Sequence, residues 1–123
     1  MKNFKLNEKD ILSNQDWTFP TTTYYGPGRF NEIAKFCEEF DIKNPLIVTD
    51  SGSKDLPFIK KLIALLSKNN IKSDLFYNIS PNPRDDEISK GCDQFKNGSH
   101  DSIIAIGGGS AMDGGKSICL TVN

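Results

Sequence analysis

The stretch IIAIGGGSAMDGGK, residues 103–116, decides the fold of this chain. Its first four residues are apolar and mostly β-branched, which is typical of a buried β-strand. Three consecutive glycines, Gly107, Gly108 and Gly109, follow that strand, and Ser110 then begins an amphipathic helix. A strand, a glycine loop and a helix N-terminus in succession form a phosphate-binding arrangement, because free N–H groups and the positive end of the helix dipole face the loop.

Polar residues of the same helix allow two interpretations. Ser110 and Asp113 fit a capping box of the S-x-x-D kind, which needs no ligand. A cap requires one glycine and not three, so we expect phosphate binding as well, with Asp113 orienting the loop. Lys116 falls within the first two helical turns, where its charge serves the same anion or pairs with a carboxylate. The glycine spacing matches neither the usual dinucleotide fingerprint nor a Walker A loop.

Upstream of this stretch, strand patterns alternate with helix patterns. An extended segment is predicted over residues 19–25, and strands over Leu46–Thr49, Ile71–Tyr77 and Ser102–Ile106. Helices are predicted from Phe30, from Pro57, from Asp85 to a stop at Gly98, and from Ser110 onward. Their predicted buried stripes are Ile33, Ala34, Cys37 and Phe40; Ile59, Leu62, Ile63 and Leu66; Ile88, Cys92 and Phe95; and Ala111, Gly115, Ile118, Cys119 and Val122.

This alternation predicts an α/β fold, a Rossmann-like parallel sheet with helices on both faces. Ligands of such sheets bind beyond the carboxyl ends of the strands. Asp50 ends one predicted strand, Asn82 follows the next, and Gly107 to Ser110 follow the third. The sequence therefore predicts one crevice that collects a carboxylate, an amide and a phosphate loop.

Such a crevice suits a dinucleotide. Asp50 is a candidate acceptor for the adenosine ribose hydroxyls, and its charge would repel a 2′-phosphate. The alternative is that Asp50 serves only as a turn or N-cap residue in the segment DSGS, residues 50–53. Asn82 is a candidate cofactor ligand or merely the centre of a proline-flanked turn, and the sequence does not separate the two.

Composition excludes several classes of function. The chain has 123 residues, 25% of them charged, and a net charge of -1. This composition predicts no basic surface for binding nucleic acid or a membrane.

Residues 1–16 are expected to be a flexible leader and residues 17–123 one domain. Neither a secretory signal nor a membrane span is predicted. The three cysteines lack metal or redox spacing and are expected to be buried in a reduced, cytoplasmic setting.

No catalytic group or metal site is predicted in this chain. Its one histidine, His100, stands in the polar segment NGSHD, residues 97–101, and is expected to be a surface loop residue. One imidazole without a nearby Cys or His partner makes no metal site. No Ser/His/Asp or Cys/His pairing offers nucleophilic chemistry.

Four landmarks together resemble one known family. The segment GGGSAMDGGK, residues 107–116, resembles the signature of the iron-containing (group III) alcohol dehydrogenases, which belong with the glycerol dehydrogenases and dehydroquinate synthases. TTYYGPGRF, residues 22–30, is similar to the family's entry strand and the turn into its first helix. LIVTD, residues 46–50, is similar to its first parallel strand, and PNP, residues 81–83, to its P-N-P turn. The landmarks cover roughly residues 17 to 120 in the family's order.

The resemblance implies an NAD(P)-binding segment of an enzyme that transfers hydride between a nicotinamide and an alcohol or aldehyde. An acidic residue at the position of Asp50 goes with NAD over NADP, and Asn82 matches an asparagine that contacts the cofactor. The family's metal, iron or zinc, is held by an aspartate and three histidines in a helical domain that would follow Asn123. We therefore expect a truncated domain that forms homo-oligomers and has no turnover alone.

Two alternatives remain at this stage. One is another dehydrogenase of the superfamily, acting on glycerol, a polyol phosphate or a sugar acid, or a lyase like dehydroquinate synthase. The other is a stand-alone nucleotide-binding module without catalysis.

Overall fold

The computed structural model describes residues 28–122. The predicted leader and the extended segment over residues 19–25 lie outside this range. A short 3-10 turn, Arg29–Glu32, precedes the first helix. The remaining elements are α1 Ile33–Glu39, β1 Pro45–Val48, α2 Pro57–Lys68, β2 Asp74–Phe76, α3 Asp85–Asn97, β3 Ser102–Ala105 and α4 Gly109–Val122.

The strands described form one parallel sheet in the order β2-β1-β3. Leu46 of β1 pairs with Asp74 of β2 on one side and with Ile103 of β3 on the other. β1 is buried along its whole length, as expected for the central strand of a sheet that helices cover on both faces. The predicted α/β fold class is confirmed.

Two apolar clusters fill the space between sheet and helices, because side chains alternate across a strand. On one face, Leu46 and Val48 pack with residues of β2, α3 and α4, among them Cys92 and Ile118. On the other face, Ile47 packs with Cys37 of α1 and with residues of α2. Burial raises the pKa of the Cys37 thiol, and the nearby Asp101 carboxylate raises it further.

The structure corrects the predicted burial at several positions. Phe40 and Ile63 were expected in buried stripes, but they are 53% and 38% exposed. Cys119 is exposed as well, whereas the expected burial of Cys37 and Cys92 is confirmed. Phe40 follows the last residue of α1, whereas Ile63 and Cys119 each stand next to a buried residue of their helix, Leu62 and Ile118.

The expected surface position of His100 is wrong, since only 8% of this residue is exposed. Nδ1 lies 3.0 Å from the Asn44 carbonyl oxygen and carries the hydrogen, because a carbonyl only accepts. Nε2 lies 3.9 Å from Asp74 Oδ2. The imidazole also packs beside the Phe95 ring, with a centroid distance of 6.1 Å. His100 is thus a packing residue at the amino-terminal edge of the sheet.

Candidate functional site

Backbone hydrogen bonds align the carboxyl ends of the strands. The Thr49 N–H donates to the Phe76 carbonyl at 3.0 Å, and the Ile106 N–H donates to the Val48 carbonyl at 3.0 Å. The Ser51 N–H reaches the Ile79 carbonyl, also at 3.0 Å. The ladder therefore continues beyond each strand and fixes the loops after β1, β2 and β3 along one edge of the sheet.

Asp50 lies directly beside the glycine loop. A Cβ added to Gly107 would stand 3.0 Å from Asp50 Oδ2 and 3.0 Å from the Cβ of Ala111. Gly107 also has φ +137°, a backbone conformation that side chains strongly disfavour. Only glycine therefore allows this close approach, and the predicted proximity of carboxylate and loop is present.

Asp50 also begins a turn. The Ser53 N–H donates to the Asp50 carbonyl at 3.1 Å, so the turn of residues 50–53 exists in the backbone. This turn uses the main chain of Asp50 and leaves the side chain directed at Gly107. Turn formation and ligand binding therefore do not compete for the same atoms.

The helix after the loop begins one residue earlier than predicted. α4 starts at Gly109, and the first helical hydrogen bond joins the Met112 N–H to the Gly108 carbonyl at 3.1 Å. Ser110 is thus the second helical residue, and the predicted capping box with Asp113 is wrong. The N–H groups that precede this bond have no acceptor within the helix, as at any helix N-terminus.

The space in front of these donors is open. A Cβ added to Gly108 or Gly109 would meet no heavy atom within 4 Å. The residues of the loop are exposed, in contrast to Gly115, where α4 packs on β3. The helix N-terminus therefore has room for an anion.

Asp113 and Lys116 lie further along α4, and both are exposed. Within residues 28–122, no ion pair or hydrogen bond joins these two side chains to each other or to the loop. Lys116 lies about 10 Å along the helix from Gly109, at a rise of about 1.5 Å per residue. Contact between its ammonium and an anion at the helix N-terminus requires the side chain to extend back along the helix.

Asn82 occupies the turn between β2 and α3, with its side chain exposed. Its carbonyl accepts a hydrogen bond from Ser80 Oγ at 2.9 Å, so its main chain belongs to the proline-flanked turn. The sequence places Asn82 after β2 correctly, at the same edge of the sheet as Asp50. Among the described residues its side chain has no hydrogen-bond partner, so it stays available to a ligand.

Glu87 fixes this turn, a role that the sequence analysis missed. Glu87 Oε2 accepts from the Ser80 N–H at 3.0 Å, from Ser80 Oγ at 3.2 Å and from the Arg84 N–H at 3.4 Å. These bonds, the Ser80 N–H foremost, lower the pKa of Glu87 against the opposing effect of burial, and Arg84 adds a charge contribution. The only sequence signal was the acidic first turn of α3.

Thr49 is the second residue that the sequence analysis missed. Its side chain is fully buried, and within the described part of the chain Oγ1 has no hydrogen-bond partner. Oγ1 would lie 3.2 Å from a Cβ at Gly107, so the hydroxyl is directed at the glycine loop. No sequence pattern distinguishes such a hydroxyl from an ordinary strand threonine.

A cavity of about 390 Å³ opens beside the loop, lined by Phe30, Ser53, Phe58, Ile106, Gly107 and Gly108. A second cavity, of about 420 Å³, lies at the opposite edge between the C-terminal ends of α1 and α2. The second cavity touches neither the glycine loop nor a strand's carboxyl end. The cavity beside the loop is therefore the candidate ligand space, since α/β sheets bind ligands at that edge.

Metal ligands are not assembled in residues 28–122. No group of three or more His, Cys, Asp or Glu side chains in this range is placed to hold a metal ion. The metal that the resemblance implies therefore does not fit these residues, and we assign them no metal-dependent step. None of the helices described in this range has the length and apolar character needed to cross a membrane.

A parallel sheet with a glycine loop, a helix N-terminus and a carboxylate at its carboxyl edge defines a Rossmann-like α/β domain. A profile of the family described as iron-containing alcohol dehydrogenase matches residues 20–123 of the chain. Alcohol dehydrogenase 4 of Schizosaccharomyces pombe is 37% identical over 101 residues, which are 82% of this chain and 24% of that protein. The chain belongs to the iron-containing alcohol dehydrogenase family.

Solved structures agree with this assignment. A 1,3-propanediol oxidoreductase superposes with a TM-score of 0.76 at 30% identity, over 82% of this chain and 26% of its own. A sulfoacetaldehyde reductase from Bifidobacterium kashiwanohense, in complex with NAD+, gives 0.75 at 32% identity, over 88% of this chain and 29% of its own. The chain thus spans about a quarter of the length of the relatives it matches.

Proposed function

We propose that this chain is the part of an NAD-dependent alcohol dehydrogenase that binds the adenosine and pyrophosphate of the cofactor. The observation that carries the proposal is the approach of the Asp50 carboxylate to Gly107, beside an open helix N-terminus. Carboxylate and free N–H groups are complementary to ribose hydroxyls and to phosphate, respectively. The related sulfoacetaldehyde reductase, solved with NAD+, supports this choice of ligand.

The charge of Asp50 favours NAD over NADP. A carboxylate accepts hydrogen bonds from the ribose 2′- and 3′-hydroxyls, but it repels a 2′-phosphate at the same place. Asn82 lies at the same edge, and we assign it to the cofactor with the loop residues Gly107, Gly108, Gly109 and Ser110. Asp113 and Lys116, which lie further along α4, complete the proposed set of cofactor-binding residues.

The reaction of the complete enzyme is proposed as hydride transfer between the nicotinamide and a small alcohol or aldehyde. This chain contributes the position of the cofactor and no reacting group. We therefore expect no NADH formation from alcohols by the chain alone. An absorbance assay at saturating NAD and metal, with a family enzyme as positive control, tests this expectation.

Calorimetric titration tests the cofactor site directly. The chain should bind NAD and ADP-ribose and should not bind NADP. Asp50→Ala should weaken NAD binding by about tenfold or more, because the substitution removes two hydrogen bonds from the ribose hydroxyls to a charged acceptor. The same substitution should not weaken the binding of inorganic pyrophosphate, because it removes only a negative charge from beside the anion site.

Gly109→Val provides the matched test of the loop. A side chain at Gly109 meets open space, so the fold tolerates it, but the side chain fills the position of the anion. We expect loss of NAD, ADP-ribose and pyrophosphate binding with an unchanged melting temperature. Equal binding by Gly109→Val and the unsubstituted chain would overturn the proposed anion site.

A further inference from the structure

We propose that the buried hydroxyl of Thr49 is a positioning residue that holds the glycine loop in its anion-binding conformation. In that state Thr49 Oγ1 donates a hydrogen bond to the carbonyl of Gly107. This inference rests on the proposed function and adds a residue to which no binding role has been assigned.

The buried Thr49 hydroxyl lacks a partner in the part of the chain that the structure describes. Thr49 is 0% exposed, and Oγ1 has no hydrogen-bond partner within residues 28–122. A buried hydroxyl without a partner is unfavourable, and such groups are rare in native structures. Because an unpaired buried hydroxyl is costly, we expect a second state of the molecule in which the Thr49 hydroxyl has a hydrogen-bond partner.

The backbone groups near the Thr49 hydroxyl differ in how firmly they are held. The backbone around Thr49 is committed to the sheet: its own N–H donates to the Phe76 carbonyl, and the Val48 carbonyl accepts from the Ile106 N–H. Gly107, in contrast, is exposed and lies outside β3. A Cβ added at Gly107 would lie only 3.2 Å from Thr49 Oγ1, so the loop backbone runs close to this hydroxyl. The glycine loop is therefore the adjustable partner.

Pairing of the Thr49 hydroxyl is coupled to anion binding through the geometry of one peptide unit. The N–H and C=O of one peptide unit point in opposite directions, because the unit is planar and trans. If the peptide between Gly107 and Gly108 turns its N–H outward to an anion, it turns the Gly107 carbonyl inward. The inward side of the loop is where the Thr49 hydroxyl lies. Anion binding and satisfaction of this hydroxyl thus occur together.

The proposal predicts effects of opposite sign for Thr49→Val. Valine has nearly the same shape but no hydroxyl, so the ligand-free chain should melt at an equal or higher temperature. The affinity for ADP-ribose and for inorganic pyrophosphate should fall about five- to tenfold, the value of one hydrogen bond. Thr49→Ser keeps the hydroxyl and should restore most of the affinity.

The experiment is thermal unfolding without ligand combined with calorimetric titration of both probes, on the full chain and its variants. Unchanged binding by Thr49→Val would overturn the inference while leaving the proposed function standing. If Thr49→Val lowered both the melting temperature and the affinity, the inference would also be overturned, because the hydroxyl would then stabilise the fold itself. If the unsubstituted chain binds neither probe, the proposed function fails and this inference falls with it. Should Thr49→Val not fold, Thr49→Ala compared with Thr49→Ser decides the same question.

Discussion

At the residue scale, Asp101 connects the amino-terminal ends of β1 and β3. Its carboxylate accepts from the Lys43 N–H at 2.7 Å, from the Asn44 N–H at 3.1 Å and from Ser102 Oγ at 2.9 Å. Desolvation by itself raises the pKa of Asp101, but these bonds outweigh it, and the pKa is lowered overall. The charged form of Asp101 is therefore the form that stabilises this edge of the sheet.

The lowered pKa predicts a loss of stability in acid. A depressed native pKa contributes stability above the unfolded-state value, about 3.9 for Asp, and this contribution disappears as the pH falls through the native value. Asp101→Asn should be less stable than the unsubstituted chain at pH 7 and should approach it near pH 3. Urea unfolding midpoints at pH 7, 5 and 3 measure this.

Asp93→Asn is the matched control, since Asp93 is an exposed carboxylate on α3. This variant makes the same charge change without removing any bond between strands. Parallel pH profiles for the two variants would contradict the role given to Asp101.

At the element scale, three helices end in the same way, each with a residue other than glycine at the position of positive φ. After α1, α2 and α3 the chain adopts positive φ at Asp41, Asn70 and Ser99. The next residue in each case, Ile42, Ile71 or His100, donates its N–H back to the helix, to the carbonyls of Cys37, Leu66 and Phe95. This is the Schellman motif, in which the residue after the positive φ packs on the helix. It explains why His100 is buried beside Phe95 and why Ile71 does not belong to β2.

The packing of α4 on β3 depends on Gly115. A Cβ at this position would lie 2.7 Å from the Cβ of Ala105, closer than two such atoms approach. We expect Gly115→Ala to destabilise the chain by about 1–3 kcal/mol, since helix and strand must separate. Chemical unfolding at equilibrium measures this difference.

Gly109→Ala is the control on the same helix. It makes the identical change where a Cβ meets open space, so it should be neutral or slightly stabilising. A similar loss of stability in both variants would show that glycine flexibility, and not close packing, determines the effect.

At the scale of the whole molecule, the described sheet has two edge strands, β2 and β3, around one buried centre. Edge strands present unpaired N–H and C=O groups that pair readily with another chain. We expect the chain to be a dimer or larger in solution, or to be only marginally stable. Light scattering on a sizing column and thermal melts test this, and a monomer that melts cooperatively at high temperature would contradict it.

The sequence by itself determined the alternation of strands and helices, the parallel sheet, the family, and the placement of Asp50, Asn82 and the glycine loop at one edge. These features follow from periodicity, turn residues and the rule that carboxyl ends of parallel strands share an edge. The expected oligomer, the NAD preference and the absence of turnover stay predictions.

Only the tertiary structure decided how close the groups of that edge come. The close approach of the Asp50 carboxylate to Gly107 arises from the register of β1 beside β3. The same register buries the Thr49 hydroxyl, which has no partner among the residues described. The position of His100 depends on the carbonyl of Asn44 and on the ring of Phe95, and that of Glu87 on the turn it holds. Local patterns fix which residues belong to an element, but the burial of a polar group depends on neighbours that are distant in sequence.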